Sequence, residues 1–317
     1  MSINPQEKKI IRRTVLRAIS SNRAPGMHFA GYFLDFTARR FTTDGVAFTV
    51  EPGAHCTDAD GVLNRAVLLY SADMTLAAAN RVFLDPNVRT ATLMLRVEFT
   101  GEPACGSLEA SGRGSGFSPR TALPESVAAG HVVCNGREVM RMSGTWVSPP
   151  APKGASMRGL PWEGGENGAK WPMLKKNEID AAEKDVMRRV EKALRVMQNG
   201  DLLANLCNPV VKRTPSGASG RLAVGMHIGN RVGHVQGGFL INAALVTAEV
   251  AVPEHPMLTG ASAWYISPGQ GKVITSRSTV LQSGRNVAVV RTELFAAGRK
   301  LVLEVISNHA VGTRTAP

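Results

Sequence analysis

Gly233-His234-Val235-Gln236-Gly237-Gly238-Phe239-Leu240-Ile241-Asn242-Ala243-Ala244-Leu245-Val246-Thr247-Ala248 decides how the rest of the chain is read. A polar, glycine-bearing turn runs straight into an apolar segment, Phe239 to Val252, that contains no proline. The segment is too short to span a bilayer and long enough for a buried helix. A helix that is apolar on every side must be covered on every side, as when a curved sheet wraps it. Gly237 and Gly238 fall in its first turn, where backbone N–H groups lack intrahelical partners. Without side chains there, another molecule can approach those amides closely. Such a bare helix N-terminus suits an anion or a developing oxyanion.

The chain has 317 residues, 44% of them hydrophobic, enough for two domains with real cores. No run of 18 apolar residues occurs, and no apolar N-terminal segment precedes a small-residue cleavage site. The expectation is a soluble, cytoplasmic protein without a membrane span. Cys56, Cys105, Cys134 and Cys207 are scattered without CxxC spacing, which implies free thiols. The net charge is +12, and 14 of the 37 Lys and Arg fall in Lys8–Arg23 and Lys170–Arg195. Aromatics make up only 5% and there is no sustained basic block, so nucleic acid is not expected as a partner. The two basic stretches read either as solvated helix faces or as a rim for a phosphorylated ligand or an acidic carrier protein.

Along the chain, Pro5–Asn22 reads as a basic amphipathic helix with a stripe of Ile10, Ile11, Leu16 and Ile19, packed on the body of the protein. A strand over Phe41–Val50 precedes a turn at Asp58–Gly61, where Asp60 is a candidate cap for an apolar helix over Val62–Val82. Strands follow at Thr90–Phe99, Ser107–Gly112, Gly130–Cys134 and Glu138–Val147. Ser148–Trp171 reads as a linker, rich in Pro, Gly, Lys and Trp. Asn177 is the expected cap of a surface helix that bridges the halves and ends before Gly200. A strand at Gly220–Gly229 then leads into the opening stretch, followed by strands at Ala261–Ile266, Lys272–Leu281, Asn286–Phe295 and Lys300–Ser307. Strand, turn, buried helix and antiparallel strands thus occur twice, a repeat of element order rather than of residue identity.

This order resembles the double-hotdog acyl-CoA thioesterases. His234-Val235-Gln236-Gly237-Gly238 before an apolar helix is similar to the glycine-pair segment of the phenylacetate-pathway type of hotdog thioesterase. Pro268-Gly269, Gly284-Arg285-Asn286-Val287-Ala288 and Val290-Arg291-Thr292-Glu293 resemble the glycine-arginine turn and final strands of the thioesterase-like superfamily. In the first half, Gly61-Val62-Leu63-Asn64-Arg65-Ala66 through Ser71-Ala72-Asp73 resembles the family helix whose carboxylate lies nine residues after the start of its turn. The match covers most of residues 25–147 and 205–310.

The resemblance implies an α+β fold: tandem hotdog domains, each an antiparallel sheet wrapped around a long central helix. The expected boundaries are an N-terminal basic helix over 1–24, a first hotdog domain over 25–147, a linker and bridging helix over 148–204, and a second hotdog domain over 205–317. The two halves would form a pseudo-dimer within one chain, with further homo-oligomers open. The first half keeps the acid, Asp73, but has Asn64-Arg65-Ala66 in place of the glycines; the second keeps Gln236-Gly237-Gly238 but has Leu245 at the acid's position. Family sites combine the turn of one unit with the carboxylate of the other. Two half-degenerate copies would therefore assemble one complete site and one dead one.

On this reading the catalytic candidates are Asp73, Gly237, Gln236 and His234. Asp73 would attack the thioester or activate water, and the Gly237 or Gly238 amide would polarise its carbonyl. Gln236 either caps the turn or orients water or the carbonyl. His234 is either a second acid/base or a turn histidine. Gly238, Asn64 and Arg285 are the substrate-binding candidates. Close helix–sheet packing alone would also account for the glycines, and a hydrogen-bonded structural role for Asp73. Thr247 reads as a core hydroxyl bonded to the preceding turn. Asp58, Asp60 and His55 lack the further ligands a metal needs, and no P-loop, Rossmann, GxSxG or HExxH motif occurs, so neither metal nor cofactor is expected. The resemblance implies hydrolysis of an acyl-CoA or acyl-carrier thioester. A hotdog dehydratase or hydratase pairing His234 with Asp73, and a non-catalytic acyl binder, are the alternatives.

Overall fold

Two helices, each sealed from solvent on nearly every side, organise the chain. α3 (Arg65–Arg81) starts where the Asn64 side chain accepts the Ala66 N–H, and α6 (Gly237–Ala251) starts where the Gln236 side chain accepts the Phe239 N–H. Both are rich in alanine and leucine, which favour helix and allow close approach. Leu69, Tyr70, Ala72 and Leu76 of α3 and Ile241, Ala244 and Leu245 of α6 are fully buried. The two helices pack on each other. The computed structural model describes residues 4–23, 28–85, 88–118, 122–150, 160, 174–197 and 200–312.

One antiparallel sheet covers both helices. Its first half comprises β1 (Thr37–Thr42), β2 (Gly45–Val50), β3 (Ala91–Phe99), β4 (Leu108–Gly114), β5 (Glu125–Cys134) and β6 (Arg137–Val147). Its second half comprises β7 (Val210–Thr214), β8 (Gly217–Ala223), β9 (Met257–Tyr265), β10 (Val273–Ser283), β11 (Val287–Phe295) and β12 (Leu301–Ala310). The strand order is β1-β2-β4-β5-β6-β3-β9-β12-β11-β10-β8-β7. The first six strands pack on α3 and the last six on α6. β3 and β9 pair antiparallel from Met94↔Trp264 to Glu98↔Gly260, which fuses the half-sheets. Alternating burial, as in β5 and β11, turns one side of each strand onto its helix.

The outer helices sit on this core. α1 (Pro5–Asn22) opens with a capping box between Asn4 and Glu7. It buries Ile11, Val15, Ala18 and Ile19, whereas Ile10 is 52% exposed. Ile11, Leu16 and Ile19 of the expected stripe are thus buried, and Ile10 lies off the face that positions 11, 15, 18 and 19 share. α2 (Phe29–Phe33) and α4 (Ala181–Val196) flank α1, and α5 (Leu202–Cys207) packs on α4. Arg12 pairs with Glu191 at 2.6 Å and Arg23 with Glu183 at 2.7 Å, tying α1 to α4.

Several sequence expectations need correction. The cap of α4 is Asp180, in a capping box with Glu183, while Asn177 lies in a short 3-10 turn over Lys176–Glu178. Asp60 does not cap α3; its N–H donates to Asp58 Oδ1 at 3.0 Å within the preceding turn, and Asn64 takes the cap. The strand expected over Gly220–Gly229 is β8, which stops at Ala223 before a 3-10 turn at Met226–Ile228. β1 and β7 are edge strands whose Arg39-Arg40 and Lys212-Arg213 pairs hide them from an alternation search. Most of the linker expected at Ser148–Trp171 lies outside the described residues. No described helix is long and apolar enough to cross a membrane.

Candidate active site

The packing of α3 against α6 brings Asp73, in the middle of one helix, to the first turn of the other. Gly238 makes the approach possible: a Cβ there would stand 2.5 Å from the Leu69 carbonyl oxygen and 2.6 Å from the Tyr70 backbone. At Gly237 the obstacle is Asp73 itself, whose Oδ2 would lie 2.6 Å from an added Cβ. The expected packing role of the glycines is therefore real for Gly238, but against a helix rather than the sheet. Gly237 leaves room for a carboxylate.

Asp73 is buried and held by neutral donors. Thr92 Oγ1 donates to its Oδ1 at 2.8 Å and Gln236 Nε2 donates to its Oδ2 at 2.7 Å. Burial raises its pKa to about 6, against the lowering influence of Thr92 and of the Gly238 backbone N–H. Gln236 combines two roles: its Oε1 also accepts the Phe239 N–H at 3.3 Å. Its amide oxygen serves the cap and one amide N–H holds Asp73. With Phe239 N–H bonded to Gln236 and Gly238 N–H turned to Asp73, the Gly237 N–H is left without an acceptor among the described residues.

These groups line a cavity of about 310 Å³, within the range of small-ligand sites. Met74, Ala77, Leu93, Leu240 and Ile266 are among its apolar lining, and His234, Gln236, Gly237 and Asp73 among its polar lining. His234 is held by its backbone, N–H to Asn230 Oδ1 at 3.0 Å and carbonyl to Asn230 N–H at 2.7 Å. Burial and then the charge of Arg89 lower its pKa, so its imidazole is neutral at physiological pH.

The sequence reading missed four residues here. Thr92 reaches Asp73 from a β3 bulge, where the register with β6 slips between Thr92 and Met94. Tyr265, at the end of β9, donates its hydroxyl to the Gly237 carbonyl at 3.0 Å and steadies the first turn of α6. His28 lines the cavity, bonded to the Tyr70 hydroxyl at 2.5 Å and depressed to about 4 by burial and by Arg231. Arg89 lines it from the connection between α3 and β3. No motif marks any of these, because each comes from a separate strand or loop.

No family model matches this sequence, and no curated protein does. Solved structures match at low identity. A protein described as an oleoyl thioesterase from Lactobacillus plantarum aligns with a TM-score of 0.53 and 12% identity, over 84% of this chain and 96% of that one. The chain has the double-hotdog fold. The 12:0-ACP thioesterase of Umbellularia californica (14% identity, 84% and 93% covered) and an acyl-CoA thioesterase II of Mycobacterium marinum (12%, 88% and 96%) each align with a TM-score of 0.49.

In this double hotdog the reciprocal position is built differently. Asn64 Oδ1 accepts the Ala66 N–H at 2.8 Å and its Nδ2 donates to Asp201 at 2.7 Å. Its polar atoms are used as a cap and a tether, and it does not line the cavity expected to bind substrate. Arg65 forms a two-pronged pair with Glu249, and Leu245 is fully buried. Arg285 is exposed in the β10–β11 turn. Its neighbour Gly284 accepts from His255 Nε2 at 2.9 Å, beyond the C-terminal end of α6. The 15 residues of α6 span about 22 Å, so Arg285 stands at the wrong end of the helix to contact a ligand at Gly237. Replacing Arg65 by Met should cost about 1 kcal/mol of stability in urea unfolding, the pair being partly solvated. It should leave turnover at the Asp73 cavity within about two-fold of the parent.

Proposed function

We propose that the chain is a thioester hydrolase acting on an acyl-CoA or acyl-carrier thioester at one site, between α3 and α6. The observation that carries this reading is the pairing of a buried Asp73 with the unoccupied Gly237 amide on one largely apolar cavity. The cavity would take the acyl chain. The Gly237 N–H, aided by the dipole of α6, would draw charge onto the thioester carbonyl oxygen. Asp73 would supply the carboxylate, attacking the carbonyl carbon itself or removing a proton from the water that does. If Asp73 attacks, the C–S bond breaks to leave an acyl anhydride on Asp73 that water then hydrolyses, a water proton going to the departed thiolate. If Asp73 activates water, the water oxygen replaces sulfur on the carbonyl carbon and the proton held by Asp73 passes to the thiolate. Gln236, Thr92 and Tyr265 position these groups, and His234 stays neutral beside them. The likeness of fold to a protein described as an oleoyl thioesterase supports this class of reaction. Four free cysteines suit a reducing, cytoplasmic setting.

A panel of acyl-CoA substrates with a thiol-detecting assay tests the proposal, with kcat/KM followed against pH. The anion of Asp73 is the active form, and its pKa stands at about 6. Activity should therefore fall as pH drops through about 6 and be level above about 7. His28, at about 4, is already neutral across that range and adds no second limb. Release of no thiol from any acyl-CoA or acyl-carrier substrate would overturn the proposal. Addition of water across a double bond with the thioester intact would instead identify a hydratase.

A further inference from the structure

The cavity holds more hydrogen-bond donors than it uses. Asp73 is the one acidic side chain among its described lining residues, and Thr92 and Gln236 already occupy its two oxygens. Three arginines line the same space: Arg81, Arg89 and Arg231. Arg81, in the last turn of α3, is buried and donates to the Val88 carbonyl at 2.6 Å. That bond fixes the segment from which Arg89 enters the cavity. Arg89 itself forms no hydrogen bond or ion pair among the described residues, although burial disfavours its charge. The indole N–H of Trp146, fully buried in the same wall, also has no acceptor among the described residues. A partly desolvated guanidinium without an acceptor costs free energy unless an anion joins it.

We infer that Arg89 receives an anionic group of the substrate, a phosphate or a carboxylate, in the cavity that holds Asp73 and Gly237. This rests on the hydrolase reading for its substrate and extends it to a charged one. Two parts of a thioester could carry that anion. The phosphates of coenzyme A would approach from the thiol side. A carboxylate at the far end of the acyl chain would approach from the acid side. Arg89 replaces Arg285 as the cation facing the ligand. His234, near enough to Arg89 to feel its charge, offers no negative charge to balance it.

The test uses the full chain with Arg89→Gln and Arg89→Lys, and four substrates. These are decanoyl-CoA, decanoyl-pantetheine, and the ω-carboxydecanoyl thioesters of CoA and of pantetheine. If the anion is phosphate, Arg89→Gln raises KM about 10-fold or more for both CoA thioesters and for neither pantetheine thioester. If it is the acyl carboxylate, the rise follows the two ω-carboxy substrates on either carrier. Arg89→Lys restores most of the loss in either case, as a retained charge should. An unchanged KM on all four substrates overturns the inference, as does an equal rise that includes neutral decanoyl-pantetheine. Titration calorimetry with free CoA and with decanedioate separates this outcome from failure of the hydrolase reading. If the parent cleaves none of the four, weakening of either ligand about 10-fold in Arg89→Gln still upholds the anion site. No binding, or equal binding by both proteins, overturns it.

Discussion

Asp73→Asn should lose about a thousand-fold in kcat on any thioester the parent hydrolyses. It should also melt at a higher temperature than the parent near neutral pH. The first effect follows because an amide neither attacks a carbonyl nor takes a proton from water. The second follows from burial. The Asp73 carboxyl titrates at about 6 in the folded chain against an ordinary value of 3.8. A buried acid of raised pKa leaves stability intact below its unfolded pKa and erodes it as pH climbs to the folded one. Above that window the loss is about 3 kcal/mol. Asparagine carries no charge to desolvate and fits the existing partners, accepting from Gln236 and donating to the rotatable Thr92 hydroxyl. The gain in melting temperature should be roughly 2–5 °C at about pH 7.5 and should vanish at about pH 4. Thiol release with calorimetry at the two pH values checks both halves. Full turnover by the variant would remove Asp73 from the reaction. An equal melting temperature at both pH values would show that its carboxylate is not strained by burial.

The other large effect is expected at Gly238, and it is one of stability. An added methyl meets the Leu69 carbonyl and the Tyr70 backbone at 2.5–2.6 Å, and backbone inside a wrapped helix has nowhere to move. Gly238→Ala should therefore force the central helices apart and cost about 3 kcal/mol or more in urea unfolding, with activity lost alongside. Gly237→Ala makes the informative contrast. Its methyl meets the Asp73 carboxylate, a side chain held by two hydrogen bonds. Stability should drop by about 1–2 kcal/mol while turnover drops about 100-fold or more, since the carboxylate must leave its position. Similar losses of stability in both variants would mean that the two glycines serve packing alone.

Much of the architecture was legible in composition and order. Apolar runs with alanine, leucine and no proline at Val62–Val82 and Phe239–Val252 read as buried helices, and antiparallel strands recurred after each. Asp73 stood out as a lone carboxylate in the first run, and Gly237-Gly238 as a pair opening the second. Where the reading failed, a local signal competed with a better one a few residues on. Asp60 and Asn177 are good caps in isolation, yet Asn64 and Asp180 lie where the chain turns into the helix. Asn64 and Arg285 resembled ligand contacts by position in a motif, but one is spent as a cap and the other stands beyond the far end of α6.

The sequence by itself determined that this chain builds two sheet-wrapped helices, one bearing an acid and the other a bare N-terminal turn. Those are properties of neighbours along the chain: burial period, helix propensity and missing side chains. Only the tertiary structure decided what meets the acid. Thr92 comes from a bulge, Tyr265 from the end of a strand in the other half, and Arg89 from a connection pinned by Arg81. Their convergence depends on the crossing of α3 and α6 and on the register of β3 with β6 and β9. Packing sets that geometry by summing many weak contacts over residues far apart in sequence, so no short stretch encodes it.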